Sequence, residues 1–142
     1  MERTIPPYTL LDHTADLAIE VTGDTPEHLY ENAGKALMHL MLSGTPGGDA
    51  GTRTISVRGQ DYADLMVRWL GELLYLFEGD HLIPTALAIN SLRPSYLEAR
   101  VETVTFDARR FEVHYEIKAV TYHKIDVFQK AGRWVARVIF DI

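Results

Sequence analysis

The stretch RWVARVIFDI, residues 133–142, decides the fold. An apolar side chain stands at every second position from Trp134 to Phe140, and Arg137 and Asp141 fall on the opposite face. A period of two is typical of a β-strand. The pattern therefore predicts a strand over residues 133–141 that is ordered within a sheet up to its last residue.

This strand ends in two carboxylates, the Asp141 side chain and the Ile142 α-carboxylate. Both carry charge at neutral pH, and on an ordered strand they repel each other unless a cation or basic groups lie nearby. They offer only oxygen as a ligand atom, and the chain has no cysteine. Together with an aspartate from elsewhere in the chain, they would suit Ca²⁺ or Mg²⁺ better than Zn²⁺.

The remaining segments predict two helices and several strands. Thr25 is predicted to be the N-cap of the first helix, with Pro26 as its first residue. This helix is expected to end at the Gly-rich residues 43–48. A second helix is predicted over residues 61–77. Strands are predicted at residues 8–11, 17–22, 54–57, 84–92, 96–106, 111–122, 124–130 and 133–141, with Ala131 and Gly132 as a hairpin turn. We expect a single α+β domain over residues 1–142, with two helices packed on a largely antiparallel or mixed sheet.

Composition limits the classes of protein to consider. The hydrophobic fraction of 46% and the charged fraction of 24% are ordinary for a globular protein. No apolar run approaches the roughly 18 residues of a membrane-spanning helix, and the N-terminus lacks a secretory signal, so we expect a cytoplasmic protein. The formal net charge of −6 argues against independent binding of nucleic acid, because neutralisation of phosphates by Lys and Arg supplies most of that affinity.

The stretch DHTAD, which begins at Asp12, places polar side chains between two apolar runs. Asp12 is either a metal ligand or the acceptor of an Asx turn, and the local sequence does not decide between these roles. Asp16 is either a site residue or a surface acid, and His13 is either a base or a turn histidine. Lys118 and His123, in the stretch EIKAVTYH, stand among core-like neighbours, where snorkelling or a buried hydrogen bond is the commoner role.

Four stretches of the chain resemble the archease family. They are LLDHTADLAIEVTGDTPEHLYENAGKAL, DLMVRWLGELLYLFE, EIKAVTYHKI and WVARVIFDI, and they follow one another in the family's order. Gly71 and Tyr30 depart from the family pattern, which has a polar residue and commonly a phenylalanine at these positions. The resemblance implies an accessory protein that partners the GTP-dependent RNA ligase of tRNA splicing and RNA repair. Such a protein promotes attachment of guanylate to the ligase's own active-site histidine and helps the ligase to turn over.

The resemblance also implies a divalent cation, Ca²⁺ or alternatively Mg²⁺ or Mn²⁺, bound through acidic residues. Carried to this chain, the family's metal ligands fall on Asp12, Asp141 and the terminal carboxylate of Ile142. Three further residues match polar positions of the family motifs and are expected near the site: Asp16, Lys118 and His123.

Two other classes of function remain open. A metal-dependent phosphotransferase or hydrolase would use His13 or His123 as acid or base, but the chain has no nucleophile motif and no phosphate-binding loop. A general chaperone, or a specificity modulator of RNA-modifying enzymes such as a tRNA methyltransferase, would make the metal structural. For a ligase activator we expect a protein partner, without stable binding to nucleic acid or to membranes. A surface residue such as Glu31 is expected to tolerate a change to alanine.

Overall fold

The computed structural model describes residues 5–11, 16–45 and 47–142. Within these residues the chain forms two helices and ten strands. The elements are β1 (Tyr8–Leu11), β2 (Leu17–Gly23), α1 (Pro26–Met41), β3 (Leu42–Gly44), β4 (Ala50–Arg58), α2 (Tyr62–Asp80), β5 (Leu82–Arg93), β6 (Tyr96–Thr105), β7 (Phe111–Val113), β8 (Ala119–Val120), β9 (Asp126–Lys130) and β10 (Arg133–Asp141). Every strand pair among them is antiparallel.

Both helices begin at side-chain caps, and the cap at Thr25 is the one predicted from the sequence. The Thr25 hydroxyl accepts a hydrogen bond from the backbone N–H of His28 at 3.1 Å, and Pro26 is the first helical residue. Asp61 caps α2 in the same way, by accepting from the backbone N–H of Asp64 at 2.8 Å. Each cap satisfies an N–H group that has no partner within its helix. Of the helices in the described parts of the chain, neither is both long and apolar enough to cross a membrane.

Strand β10 lies in the middle of a five-stranded sheet. The strand order is β1-β2-β10-β8, and β9 also pairs with β10. β2 pairs along the whole stretch from Trp134 to Phe140, and the β9–β10 hairpin turns at Ala131 and Gly132. These two turn residues have φ angles of 53° and 77°, and a two-residue turn with both φ angles positive matches the twist of hairpin strands. The strand predicted from RWVARVIFDI and the hairpin turn predicted at Ala131 and Gly132 are confirmed.

The two helices lie between this sheet and a three-stranded sheet of order β4-β6-β5. α1 packs against β2 and β5, and α2 packs against β4 and β5 on one side and β8 on the other. At the centre, Trp69 Nε1 donates to the Tyr30 carbonyl at 2.9 Å, and the Tyr30 hydroxyl donates to the Tyr62 carbonyl at 2.6 Å. Both polar groups of this buried pair are therefore hydrogen-bonded. The α+β class, with two helices packed on antiparallel sheet, is confirmed.

The predicted strand over residues 111–122 is wrong in its middle. It divides into β7 and β8, and residues 114–118 have no regular secondary structure. The backbone N–H groups of His114 and Tyr115 donate instead to the carbonyls of Met41 and Leu40, at 2.7 and 3.2 Å. These carbonyls belong to the last turn of α1, where a helix leaves its C=O groups without intrahelical partners. Capping of the helix thus replaces sheet pairing in this segment.

Several other boundaries differ from the prediction. β3 follows α1 directly and pairs with β7, although the sequence pattern does not indicate it. β4 is longer than the predicted residues 54–57, and α2 continues to Asp80, ending where His81 adopts a left-handed φ of 55°. The register of β5 shifts after Pro84, a residue that has no N–H group for regular pairing.

Candidate functional site

The end of β10 adjoins the start of β2. Phe140 pairs with Leu17, so the next residues along the two antiparallel strands are Asp141 and Asp16. Phe140 is fully buried in the core, and alternation along the strand therefore places Asp141 on the outer face of the sheet. Its side chain is exposed there, and Asp16 is partly exposed. The fold thus brings together two acidic residues from opposite ends of the sequence.

The segment that leads into β8 lies on the other side of the same strand end. The backbone N–H of Lys118 donates to the Asp141 carbonyl at 2.8 Å, and Ala119 pairs with Asp141. The Lys118 side chain is exposed, and Ile142 is 40% exposed. We call Asp16, Lys118, Asp141 and Ile142 the acidic strand end. Its side chains carry two negative charges and one positive charge.

Two other predicted site residues, Asp12 and His13, lie outside the described residues. Within the parts of the chain that are described, no three His, Cys, Asp or Glu side chains are grouped closely enough to hold a metal ion. The acidic strand end offers carboxylate oxygens on adjoining strands, which is the ligand chemistry of a hard cation. Because Ca²⁺ takes about six to eight oxygen ligands, a cation here would need further oxygens from residues 12–15, from carbonyls or from water.

His123 lies in the turn between β8 and β9. From Ala119 the chain runs along β8 away from Asp141, and both the N–H and the hydroxyl of Thr121 donate to the Ile139 carbonyl. His123 follows in the exposed turn that leads to β9. The structure therefore places Lys118 beside Asp141 and His123 in the exposed turn before β9.

A hydrogen-bonded group that the sequence analysis missed joins this turn to the start of α2. The Tyr122 hydroxyl donates to Asp64 Oδ1 at 2.7 Å, Arg68 Nε donates to the same carboxylate at 3.1 Å, and the Gln60 N–H donates to Asp64 Oδ2 at 2.8 Å. The hydrogen bond from Tyr122, followed by that from Gln60, holds the pKa of Asp64 below its usual range. The same bond to Asp64 raises the pKa of Tyr122. The i,i+4 spacing of Asp64 and Arg68 is visible in the sequence, whereas the contact with Tyr122 depends on the tertiary fold.

Glu31 is not the inert surface residue that the sequence analysis expects. Its Oε2 atom accepts a hydrogen bond from the backbone N–H of Ile89 at 2.9 Å, in a partly buried position. Ile89 stands where the pairing of β5 with β6 shifts register, and its N–H finds its acceptor in a side chain of α1. We therefore expect Glu31→Ala to destabilise the fold, because the change removes the acceptor of a partly buried N–H.

Fold and geometry together define a class of small α+β protein, with two helices between antiparallel sheets and an acidic strand end open to solvent. A sequence model of the Archease protein family matches residues 8–142. The chain belongs to the archease family, and the resemblance stated above is confirmed.

Relatives from archaea match this chain along almost its full length. Protein archease of Methanosarcina barkeri is 32% identical over 139 residues, which cover 95% of each chain. Protein archease of Methanopyrus kandleri is also 32% identical over 139 residues, covering 96% of this chain and 99% of its own.

Two solved structures share the fold. The solution structure of Methanobacterium thermoautotrophicum protein 1598 has a TM-score of 0.71 at 26% identity, covering 95% of this chain and 98% of its own. A crystal structure described as "an archease, possible chaperone" from Thermotoga maritima has a TM-score of 0.63 at 22% identity. It covers 100% of this chain and 98% of its own.

Proposed function

We propose that this protein is a non-catalytic activator of the GTP-dependent RNA ligase of tRNA splicing and RNA repair. It promotes guanylylation of the ligase's active-site histidine and supports multiple turnover. While the ligase is being activated, a divalent cation is bound at the acidic strand end. Membership of the archease family supports the class of function. The observation that supports the location is that Asp141 follows Phe140 of β10, while Asp16 directly precedes Leu17, the residue of β2 that pairs with Phe140.

The ligands that we assign to the cation are Asp12, Asp141 and the terminal carboxylate of Ile142. When bound, a cation such as Ca²⁺, Mg²⁺ or Mn²⁺ supplies positive charge that neutralises the carboxylates and attracts phosphate oxygens. Asp16 adds a further negative charge beside Asp141 and strengthens the local attraction for a cation. Lys118, whose backbone N–H donates to the Asp141 carbonyl, adds an exposed positive side chain that suits an anionic ligand brought by the partner.

The exposure of the strand end supports an accessory role. Both Asp141 and Lys118 are exposed. Groups on an exposed strand end are accessible to the active site of a second protein.

A general chaperone is the second candidate, because the archease of Thermotoga maritima is described as a possible chaperone. A modulator of RNA-modifying enzymes belongs to the same class of interaction protein. These functions differ from ligase activation in their clients, since a chaperone protects unrelated proteins. In that case the cation would stabilise the fold and would not act on a nucleotide.

Two assays run side by side distinguish these functions. The first follows formation of the ligase–guanylate adduct from labelled GTP at limiting cognate ligase, with and without this protein. The second follows heat-induced aggregation of an unrelated protein at the same concentrations. The activator function predicts faster adduct formation and no protection from aggregation. Protection of the unrelated protein without any effect on the ligase would contradict the activator function and support the chaperone function.

A further inference from the structure

Three arginines of the described residues form no ion pair and lie on one surface of the three-stranded sheet. Among the described arginines, six form an ion pair with a carboxylate: Arg53, Arg68, Arg109, Arg110, Arg133 and Arg137. The other three, within residues 5–11, 16–45 and 47–142, are Arg58, Arg93 and Arg100. All three are exposed and lie on the three-stranded sheet. Their charge is therefore available to a ligand.

Two of these arginines flank an aromatic ring. Tyr96 of β6 pairs with Arg58 of β4 on one side and with Arg93 of β5 on the other. Directly paired residues of a sheet present their side chains on the same face. The guanidinium carbon of Arg93 lies 5.5 Å from the Tyr96 ring centroid, within the range of a cation–π contact. We call Arg58, Tyr96 and Arg93 the arginine row.

The arginine row lies on the outer face of the sheet. Leu97 and Ala99, at alternate positions of β6, are fully buried against the helices. Alternation along the strand places Tyr96 and Arg100 on the opposite face, towards solvent. The row ends at the β5–β6 turn, where the Gly59 N–H donates to the Ser95 carbonyl at 3.0 Å. This hydrogen bond ties the turn to the end of β4 and fixes the row in place.

The rest of this face is polar. Arg100 pairs with Thr54, and Glu98 with Ser56, so hydroxyl groups lie beside the charged ones. The Tyr96 hydroxyl lies 3.4 Å from Ser56 Oγ. Glu98 offsets part of the positive charge, but it forms no ion pair with the arginines of the row. The face thus combines guanidinium, aromatic and hydroxyl groups on a protein that is acidic overall.

We propose that the arginine row, together with Arg100, binds the phosphate backbone of single-stranded nucleic acid. Guanidinium groups match phosphate oxygens in a bidentate geometry, and hydroxyl groups bind phosphate and sugar. The tyrosine and its stacked guanidinium offer a flat surface for a base, a feature that an acidic peptide does not need. This inference does not depend on ligase activation.

The binding is weak for the isolated protein. Three phosphate contacts predict a slope of about −2.1 for log K against log salt, or about a 100-fold loss of affinity for a tenfold rise in salt. The net charge of −6 opposes any further attraction. The contact therefore becomes effective when another protein holds the strand nearby and raises its local concentration.

Fluorescence anisotropy of a labelled single-stranded oligoribonucleotide, titrated at several salt concentrations, tests the proposal. Changing Arg58 and Arg93 together to glutamine leaves one phosphate contact. The slope of log K against log salt should then be about −0.7, which is about a fivefold loss of affinity for a tenfold rise in salt. The matched control changes Arg53 and Arg109 to glutamine. This control removes the same charge from ion-paired arginines and should keep the wild-type slope. Tyr96→Leu should weaken binding at least about fivefold through loss of stacking, with an unchanged slope.

Three results would overturn the proposal. Wild-type protein that does not bind the oligonucleotide at the lowest salt concentration has no such site. Equal losses in the Arg58/Arg93 and Arg53/Arg109 variants would mean that only net charge matters. Binding of poly-glutamate with the same slope, and the same loss in the Arg58/Arg93 variant, would assign the row to acidic peptides. Since the titration uses neither ligase nor GTP, a failure of the ligase proposal leaves its outcome unchanged.

Discussion

Replacement of Asp141 by asparagine removes one charge from the acidic strand end and should leave its fold intact. The hydrogen bond from Lys118 is accepted by the backbone carbonyl of Asp141, which the substitution retains. The Asp141 side chain is exposed, so no cavity forms. The variant should therefore fold with its sheet intact. It loses one negative charge beside Asp16.

The sign of the stability change should depend on the cation. Opposed residues of antiparallel strands have Cα atoms about 5 Å apart, and two unit charges at about 5 Å in water repel by about 0.8 kcal/mol. Without a cation, Asp141→Asn should be more stable than wild type by at most about 0.8 kcal/mol. A cation at about 100 times its Kd stabilises wild type by about 2.7 kcal/mol, and a variant that binds tenfold more weakly by only about 1.4 kcal/mol. Saturation with Ca²⁺ should therefore reverse the order of stability.

Urea unfolding followed by circular dichroism measures both stabilities, once with a chelator and once with Ca²⁺ or Mg²⁺. Glu102→Gln is the matched control, since it removes one exposed carboxylate from the three-stranded sheet. This control should respond to Ca²⁺ as wild type does. Equal stabilisation of wild type and Asp141→Asn by the cation would refute the assignment of Asp141 as a ligand.

Three further predictions concern the terminal carboxylate, pH dependence and Glu31. Extension of the chain beyond Ile142 should weaken calorimetric Ca²⁺ binding at least tenfold, about 1.4 kcal/mol, with an unchanged circular dichroism spectrum; unaltered affinity would remove Ile142 from the ligand set. Tyr122→Phe removes the main cause of the lowered pKa of Asp64. A carboxyl with a lowered folded-state pKa adds stability above its unfolded pKa of about 3.9, and this stability is lost as the pH falls through the folded pKa. In acid unfolding below about pH 4, wild type should thus lose more stability than Tyr122→Phe, and parallel curves would contradict this cause. Glu31→Ala should cost about 1–3 kcal/mol in urea unfolding because the Ile89 N–H loses its acceptor, whereas Glu31→Gln should retain most of the stability.

Strand β10 shows which part of the fold is predictable from sequence. Its alternation of apolar and polar side chains is local, and it arises because one face packs on the core along the whole strand. The helix caps at Thr25 and Asp61 are local for the same reason, since each cap bonds a backbone group three residues away. Strand β10 and the start of α1 were therefore placed correctly.

Residues 114–118 show why the rest could not be predicted. Their alternating pattern continues that of a strand, but the N–H groups of His114 and Tyr115 meet the end of α1 and cap its carbonyls. That competition depends on where α1 lies in three dimensions. A local sequence pattern does not contain this position.

The candidate site was predictable in part for the same reason. The sequence marks Asp141 as an acid on an ordered strand, and Asp16 as an acid next to an apolar run. Their meeting depends on the register between β10 and β2, which is a tertiary property. The contact between Tyr122 and Asp64 likewise joins elements distant in sequence, and neither residue indicates the other.

The rate of adduct formation between the cognate ligase and labelled GTP, measured with matched variants of this protein, tests the proposed function most directly. Wild type and Glu102→Gln should accelerate formation of the ligase–guanylate adduct to the same extent. Asp141→Asn, added at the same concentration of folded protein, should lose at least about tenfold of that acceleration, because it lacks a carboxylate of the acidic strand end. Full acceleration by Asp141→Asn, or none by wild type, would contradict an activator that works through this site.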